Sequence, residues 1–224
     1  MTIYKEEITM LRLKYRRIIA LILSALLMFG ICGVAAADDS SSSRLTLEDK
    51  LTAMLPALDS VARAIGVQGE VGYAPRDPQF FWTVIYLMGH NCGYQSGLYK
   101  TVERNGTVLT SIPSQGISDM AAAAFFDYSG LPELIDTSAI EYDAASGCYL
   151  FAPSDVGDTY TAIDSYFEQE NGNVSLVLGL YSAKAERVGG FEFTLVQNAD
   201  ASTDSQYCYS IMAACAENSP AQAE

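Results

Sequence analysis

The sequence predicts an α+β fold in which N-terminal helices with a small hairpin precede a C-terminal antiparallel β-meander of about five or six strands. Apolar residues recur at helical spacing in two segments before residue 90, whereas after residue 139 they alternate with polar ones. Asn-Gly pairs at 105–106 and 171–172 are typical of tight hairpin turns.

The first predicted helix starts at Thr46, which can act as its N-cap, and Asp49 three residues later completes a capping box. Pro56 should kink this helix because it lacks an N–H, and Gly66 should end it. The apolar residues at helical spacing are Leu47, Leu51, Met54, Leu55, Leu58, Val61, Ala62 and Ile65.

A second helix is predicted to start at Asp77 as the cap, with Pro78 in the first helical position. Residues 80–88 leave almost no polar face, which indicates a buried helix. The glycines of "LMGHNCGYQSG", residues 87–97, should end this helix and form a turn. The third helix, "SDMAAAAFFDY", is predicted to be capped by Ser118.

The later strands are predicted as two hairpins, "IEYDAASGCYLF" and "YTAIDSYFEQENGNVSLVLGLYS", followed by two further strands. We expect a helical half with a hairpin at 45–135, a sheet half at 136–215 and a loose tail at 216–224. The two halves should share one core, because a lone meander of this length would need its open face covered.

The N-terminus predicts export. Basic residues precede the uncharged apolar run 18–37, which ends in the small residues Ala35 and Ala37. Residues 1–37 are therefore a signal peptide cleaved after Ala37 or an uncleaved membrane anchor, since twenty apolar residues span about 30 Å. Residues 38–44 are a disordered polar spacer. Both alternatives place residues 38–224 outside, secreted or at the cell surface, with membrane contact only through the N-terminal segment.

The exported part is strongly acidic. Residues 38–224 contain eight Lys or Arg and 25 Asp or Glu, so their net charge is 8 − 25 = −17. This charge argues against nucleic acid as a partner. It suits an extracellular protein that binds a ligand or protein outside the cell, including cationic peptides.

No catalytic, cofactor-binding or metal-binding set is predicted. His90 is the only histidine, and Cys92, two residues later, is poorly placed to form a dyad with it. Neither C-x-x-C nor H-E-x-x-H spacing occurs, and no G-x-S-x-G, P-loop or G-x-G-x-x-G motif is found. We interpret His90 as part of a structural segment, with catalysis as the alternative.

Four cysteines follow the leader: Cys92, Cys148, Cys208 and Cys215. Three connectivities exist if all four pair. Cys208 and Cys215 would lie ~23 Å apart along an extended strand, beyond the reach of a bridge. We favour a disulfide between Cys148 and Cys208, with free thiols as the alternative.

The stretch "AAAAFFDYSGLPELIDTSAIEYDAASGCYLFAPSDVGDTYTAI", residues 121–163, resembles a pattern in uncharacterised exported proteins of Gram-positive anaerobic bacteria. In that pattern a short helix and a Leu-Pro loop lead into "YDAxxxxY.F" and a Gly-Asp turn. The resemblance covers residues 118 to 215 and implies export and the helix-then-sheet order. It implies no activity and no site residues.

We therefore expect an exported, non-enzymatic binding or interaction module. The alternatives are an extracellular hydrolase acting on cell-wall polymer or peptide, and a subunit of a cell-surface assembly. A carboxylate or cysteine within ~3 Å of His90 in an open cleft would favour the enzyme. The candidate contact residues near the sheet turns are Tyr142, Asp143, Tyr160 and Tyr166.

Overall fold

The computed structural model describes residues 45–68, 72–95, 99–135, 139–153, 157–198 and 207–217. The fold is α+β, as predicted, with helices before a β-meander. The helices are α1 (Leu47–Gln68), α2 (Pro78–Gln95) and α3 (Ser114–Ala124). The strands are β1 (Lys100–Arg104), β2 (Thr107–Pro113), β3 (Ile140–Asp143), β4 (Cys148–Phe151), β5 (Tyr160–Glu168), β6 (Val174–Tyr181), β7 (Arg187–Gln197) and β8 (Tyr209–Ala216).

Helix α1 begins with the predicted capping box. The Asp49 N–H donates to the Thr46 hydroxyl over 3.1 Å, and the Thr46 N–H donates to the Asp49 carboxylate over 3.0 Å. The helix continues through Pro56 and ends at Gln68, two residues beyond the predicted stop at Gly66. Burial of the apolar face of α1 stabilises the helix despite the hydrogen bond that Pro56 cannot donate.

Helix α2 also begins as predicted, with the Gln79 N–H donating to the Asp77 carboxylate over 2.8 Å. The prediction that Gly89 ends the helix is wrong, because α2 continues to Gln95. Gly89 serves a different purpose. A Cβ atom on this residue would lie 3.1 Å from Ile112 and 3.2 Å from Phe151, so the absence of a side chain lets α2 approach the strands closely.

Helix α3 begins at Ser114, four residues before the predicted cap. The Ser118 hydroxyl donates to the Ser114 carbonyl inside the helix, over 3.2 Å. Pro113 occupies the N-cap position with φ −60° and ψ 150° and makes no side-chain cap. The fixed φ of this proline redirects the chain from β2 into the helix, and the Ser114 N–H donates to the Gly147 carbonyl over 3.3 Å.

The eight strands form two four-stranded antiparallel sheets. The first sheet has the order β1-β2-β4-β3, and the second is the meander β5-β6-β7-β8. Six strands follow residue 139, as the sequence predicts. Two of them, β3 and β4, join the earlier hairpin through pairing of β4 with β2, which leaves four in the meander.

In the second sheet, apolar residues alternate with small or polar ones along β6 and β7, and this alternation determines which face is buried. Core-facing residues on β6 pair with core-facing residues on β7, for example Leu176 with Phe193 and Leu178 with Phe191. These side chains lie in one hydrophobic cluster with residues of all three helices. The opposite face of the sheet, named here the outer face, carries the residues between them.

Candidate functional site on the outer face of the meander

The outer face carries an open groove of about 570 Å³, named here the outer groove. Two rows of cross-strand neighbours share this face, because antiparallel partners project from the same side of a sheet. One row is Ser165, Val177, Glu192 and Cys215, and the other is Phe167, Ser175, Thr194 and Ala213. All eight are exposed or half-exposed and line the groove.

The floor of the outer groove consists mainly of small side chains. Serine, threonine, alanine and valine side chains rise only a short distance above the sheet. An extended polypeptide could therefore lie close to the backbone of the strands. Phe167, on the edge strand β5, is 68% exposed, which is high for a large apolar side chain. Tyr166, between Ser165 and Phe167, borders the groove, but its side chain lies on the other face of the sheet because its cross-strand partner Leu176 faces the core.

An ion-pair cluster lies beside the groove on the same face. Arg187 pairs with Asp164 through Nε at 2.8 Å and with Glu217 through Nη2 at 2.7 Å. The Tyr181 hydroxyl donates to the second oxygen of Asp164, and this hydrogen bond raises the pKa of Tyr181. The two carboxylates also raise the pKa of Arg187, so the guanidinium stays charged.

Two paired glycines make room for this cluster. Gly179 on β6 is the direct partner of Gly190 on β7. A Cβ atom at Gly179 would lie 2.6 Å from the Asp164 carboxylate, and one at Gly190 would overlap Arg187 and Glu217. The cluster can therefore lie flat against the sheet only because both positions lack side chains.

The chain surrounding the groove is short of positive charge. Residues 105–183 contain no Lys or Arg and eleven Asp or Glu, and only Lys184 and Arg187 are basic after residue 104. Arg187 is paired on both sides. The carboxylate of Glu192, in the middle of the groove, has no hydrogen-bond or ion-pair partner among the residues that the structure describes.

His90 does not belong to this site. It lies half-buried on α2, and its imidazole makes no hydrogen bond or ion pair with any described residue. The Cys92 side chain lies outside the described part of the chain. Within the described ranges, no group of three or more His, Cys, Asp or Glu side chains could hold a metal ion.

The cysteines that the structure describes are unbridged. Cys148 begins β4 of the first sheet, Cys208 directly precedes β8 of the second, and Cys215 lies within β8. Cys208 and Cys215 follow one extended run, where we expect no bridge between them. The disulfide between Cys148 and Cys208 stays a prediction.

The four candidate contact residues fall in separate places. Tyr142 packs on Tyr149 in the first sheet, with ring centroids 4.8 Å apart, and Asp143 ends β3 on that sheet. Tyr160 stacks on Tyr181 beside the ion-pair cluster. Tyr166 alone borders the outer groove, with its side chain on the opposite face of the sheet, level with Leu176.

Sequence reasoning missed most of the groove, including Glu192. A signal was available in the alternation along β6 and β7. Over much of both strands, every second residue is a buried apolar one, and the residues between them are small or polar. That set identifies a solvent face. It does not by itself distinguish a groove from an ordinary exposed surface.

No family model, curated protein or solved structure matches the chain. In the ranges that the structure describes, no helix combines the length and apolar character needed to cross a membrane. The apolar run 18–37 lies outside the described residues, so the signal peptide or anchor stays a prediction.

Proposed function

We propose that the chain is an exported binding module whose outer groove holds an extended, basic segment of another protein. The observation that carries the proposal is the position of Glu192, an unpartnered acid among the described residues, at the centre of a groove with small side chains. A Lys or Arg side chain is the natural partner for such a carboxylate.

The shape of the groove favours an extended ligand. A low floor admits a polypeptide backbone, and the hydroxyls of Ser165 and Thr194 can hydrogen-bond to its amides. The exposed Phe167 offers apolar contact at the β5 edge. Together these groups supply the few polar contacts and the apolar contact that peptide recognition uses.

The charge distribution favours a basic ligand. Asp164 and Glu217 already share the guanidinium of Arg187, whereas the Glu192 carboxylate is not paired within the described residues. The lack of basic residues from 105 to 183 adds a long-range attraction for cations. A basic segment would therefore associate faster at low salt and more slowly as ionic strength rises.

The proposal is tested by titrating a fluorescent ten-residue peptide of alternating Lys and Thr with the purified protein and following its anisotropy. The same peptide with Glu in place of Lys is the ligand control. We expect Glu192→Gln to weaken Lys-peptide binding at least tenfold, because a charge-assisted hydrogen bond contributes roughly 1.5–3 kcal/mol. Thr194→Arg should weaken it further by placing a bulky cation in the floor.

Glu103→Gln is the matched variant, since Glu103 is an exposed acid on β1 of the other sheet. Equal weakening by the Glu103 and Glu192 variants would indicate diffuse attraction to an acidic surface and reject the groove. Export is tested separately by cell fractionation. Recovery of the full-length chain from the cytosol alone would contradict that part of the proposal.

A further inference from the structure

A second pocket, of about 370 Å³, lies between the segment that follows α3 and the adjoining ends of β7 and β8. We name it the α3 pocket. Its lining includes Phe126, Asp127, Ser129, Gln197, Asn198 and Ser210. None of these residues lines the outer groove, so the two are separate places on the molecule.

Hydrogen bonds hold both walls of the α3 pocket in place. The Phe126 N–H donates to the Ile211 carbonyl over 2.9 Å, and the buried Ser210 hydroxyl donates to the Ala122 carbonyl. On the other wall, the Asn198 N–H donates to the Cys208 carbonyl over 3.0 Å. A pocket with fixed walls needs little ordering when a ligand enters.

Asp127 has an uncommon backbone conformation at this pocket. Its φ is +65°, in the left-handed region where a non-glycine residue is strained. Its carboxylate makes no hydrogen bond or ion pair with any described residue. It follows the C-terminal end of α3, where the helix dipole favours positive charge.

The remaining lining specifies the ligand. No Lys, Arg or His is among the lining residues, so nothing in the pocket neutralises Asp127. Ser129 and Gln197 can contribute further oxygen acceptors. Phe126 is 49% exposed and offers a ring face to the rest of a ligand or to its cation.

We propose that the α3 pocket binds a small organic compound with a protonated primary amine, with the amine on Asp127 and the body of the molecule against Phe126. A free carboxylate on the ligand would be repelled by Asp127, which disfavours ordinary amino acids relative to amines without a carboxylate. Amino sugars and diamines share the required chemistry, and the experiment distinguishes them.

The test uses isothermal titration of the full chain with four probes. Glucosamine and 1,5-diaminopentane carry the amine, whereas glucose and 1,5-pentanediol are their neutral counterparts. We expect one or both amines to bind and both neutral compounds to bind at least tenfold more weakly. Binding of one amine alone assigns the ligand to that source.

Two variants test the role of Asp127. Asp127→Asn removes the charge and keeps the shape, and it should weaken amine binding at least tenfold. Asp127→Gly removes the carboxylate at a position whose φ glycine adopts freely. Asp127→Gly should abolish amine binding and leave the melting temperature unchanged. If Asp127 had only a structural role, loss of binding would be accompanied by a lower melting temperature.

Asp119→Asn is the matched control, because Asp119 is an acid on α3 outside the pocket that hydrogen-bonds to Gln115. It should leave amine binding unchanged, as should Glu192→Gln in the outer groove. The proposal is overturned if neither amine binds, if the neutral compounds bind equally well, or if Asp119→Asn weakens binding as much as Asp127→Asn.

Discussion

Arg187 lies flat across the backbone of Gly190, held there by carboxylates on either side. A Cβ atom at position 190 would overlap the guanidinium and the Glu217 carboxylate. Glycine is a poor strand residue on its own account, since it loses more chain entropy than other residues on folding. Its presence in the middle of β7 is therefore explained by the cluster that covers it.

We predict that Gly190→Ala displaces Arg187 and lowers the free energy of unfolding modestly, because the exposed ion pairs of Arg187 with Asp164 and Glu217 are weakened. The same substitution in an Arg187→Ala background should be neutral or stabilising, because the Glu217 side chain, no longer held by Arg187, can move away from the new methyl group, and alanine loses less chain entropy than glycine. Urea unfolding of the four proteins gives the double-mutant cycle. If Gly190→Ala lowered the free energy of unfolding equally in both backgrounds, the ion-pair cluster would not be the reason for a glycine at position 190.

Two helical glycines should respond to the same substitution with opposite signs. A Cβ atom at Gly66 would meet nothing within 4 Å, so Gly66→Ala should stabilise the protein by up to ~1 kcal/mol through helix propensity. At Gly89 the new methyl would press on the buried Ile112 and Phe151.

Overpacking of that kind costs about 1–3 kcal/mol and outweighs the propensity gain. Gly89→Ala should therefore lower the free energy of unfolding by roughly 1 kcal/mol. Thermal and urea unfolding of both variants provide the measurement. A stabilised Gly89→Ala protein would show that α2 can shift away from the first sheet.

These glycines also mark the limit of sequence reasoning. Local signals predicted local structure: the caps at Thr46 and Asp77 and the two-residue turn at Asn105-Gly106 form as expected. Asn171-Gly172 lies in the predicted hairpin, but in a connection of five residues between Glu168 and Val174. In the sequence Gly89 looks like a glycine that ends a helix. Its actual role is to allow close contact with strands that lie more than twenty residues further along the chain. Close approach between distant segments leaves no trace in the local pattern.

The division of the eight strands into two sheets was also not predictable from local sequence. Alternation predicts that β3 to β8 are strands and which residues face the core, but it does not determine their neighbours. The pairing of Ile112 with Tyr149 places β4 beside β2 and separates the two sheets. The outer groove depends on this division, so only Tyr166, at its border, was identified from sequence.

Cys215 offers a direct probe of groove occupancy. It is exposed, lines the outer groove and pairs across the strands with Glu192. We expect iodoacetamide to alkylate Cys215 faster than the half-buried Cys148, and the Lys-Thr peptide to slow alkylation of Cys215 alone. Peptide mapping by mass spectrometry gives both rates. Unchanged alkylation of Cys215 at saturating peptide would place the bound peptide elsewhere.

Tyr73 joins α3 to β8. Its hydroxyl lies 2.8 Å from the Ala124 carbonyl and 2.7 Å from the Ile211 carbonyl, and its ring packs on Phe80 and Phe125. Tyr73→Phe keeps the ring and leaves these acceptors without the hydroxyl. We expect it to lower the free energy of unfolding by about 1–3 kcal/mol at pH 8.

Burial raises the pKa of Tyr73 well above its ordinary value of 10.0. Above pH 10 the unfolded chain therefore loses this proton while the folded protein keeps it, so stability falls as pH rises, by at most ~1.4 kcal/mol per pH unit. Phenylalanine has no such proton, so the stability difference between the wild-type protein and Tyr73→Phe should narrow from pH 9 to pH 11. Urea unfolding across this range measures the difference, and other titrating groups cancel in the comparison. A constant difference would show that the phenolate is tolerated in the fold and that the hydroxyl is not confined between the two carbonyls.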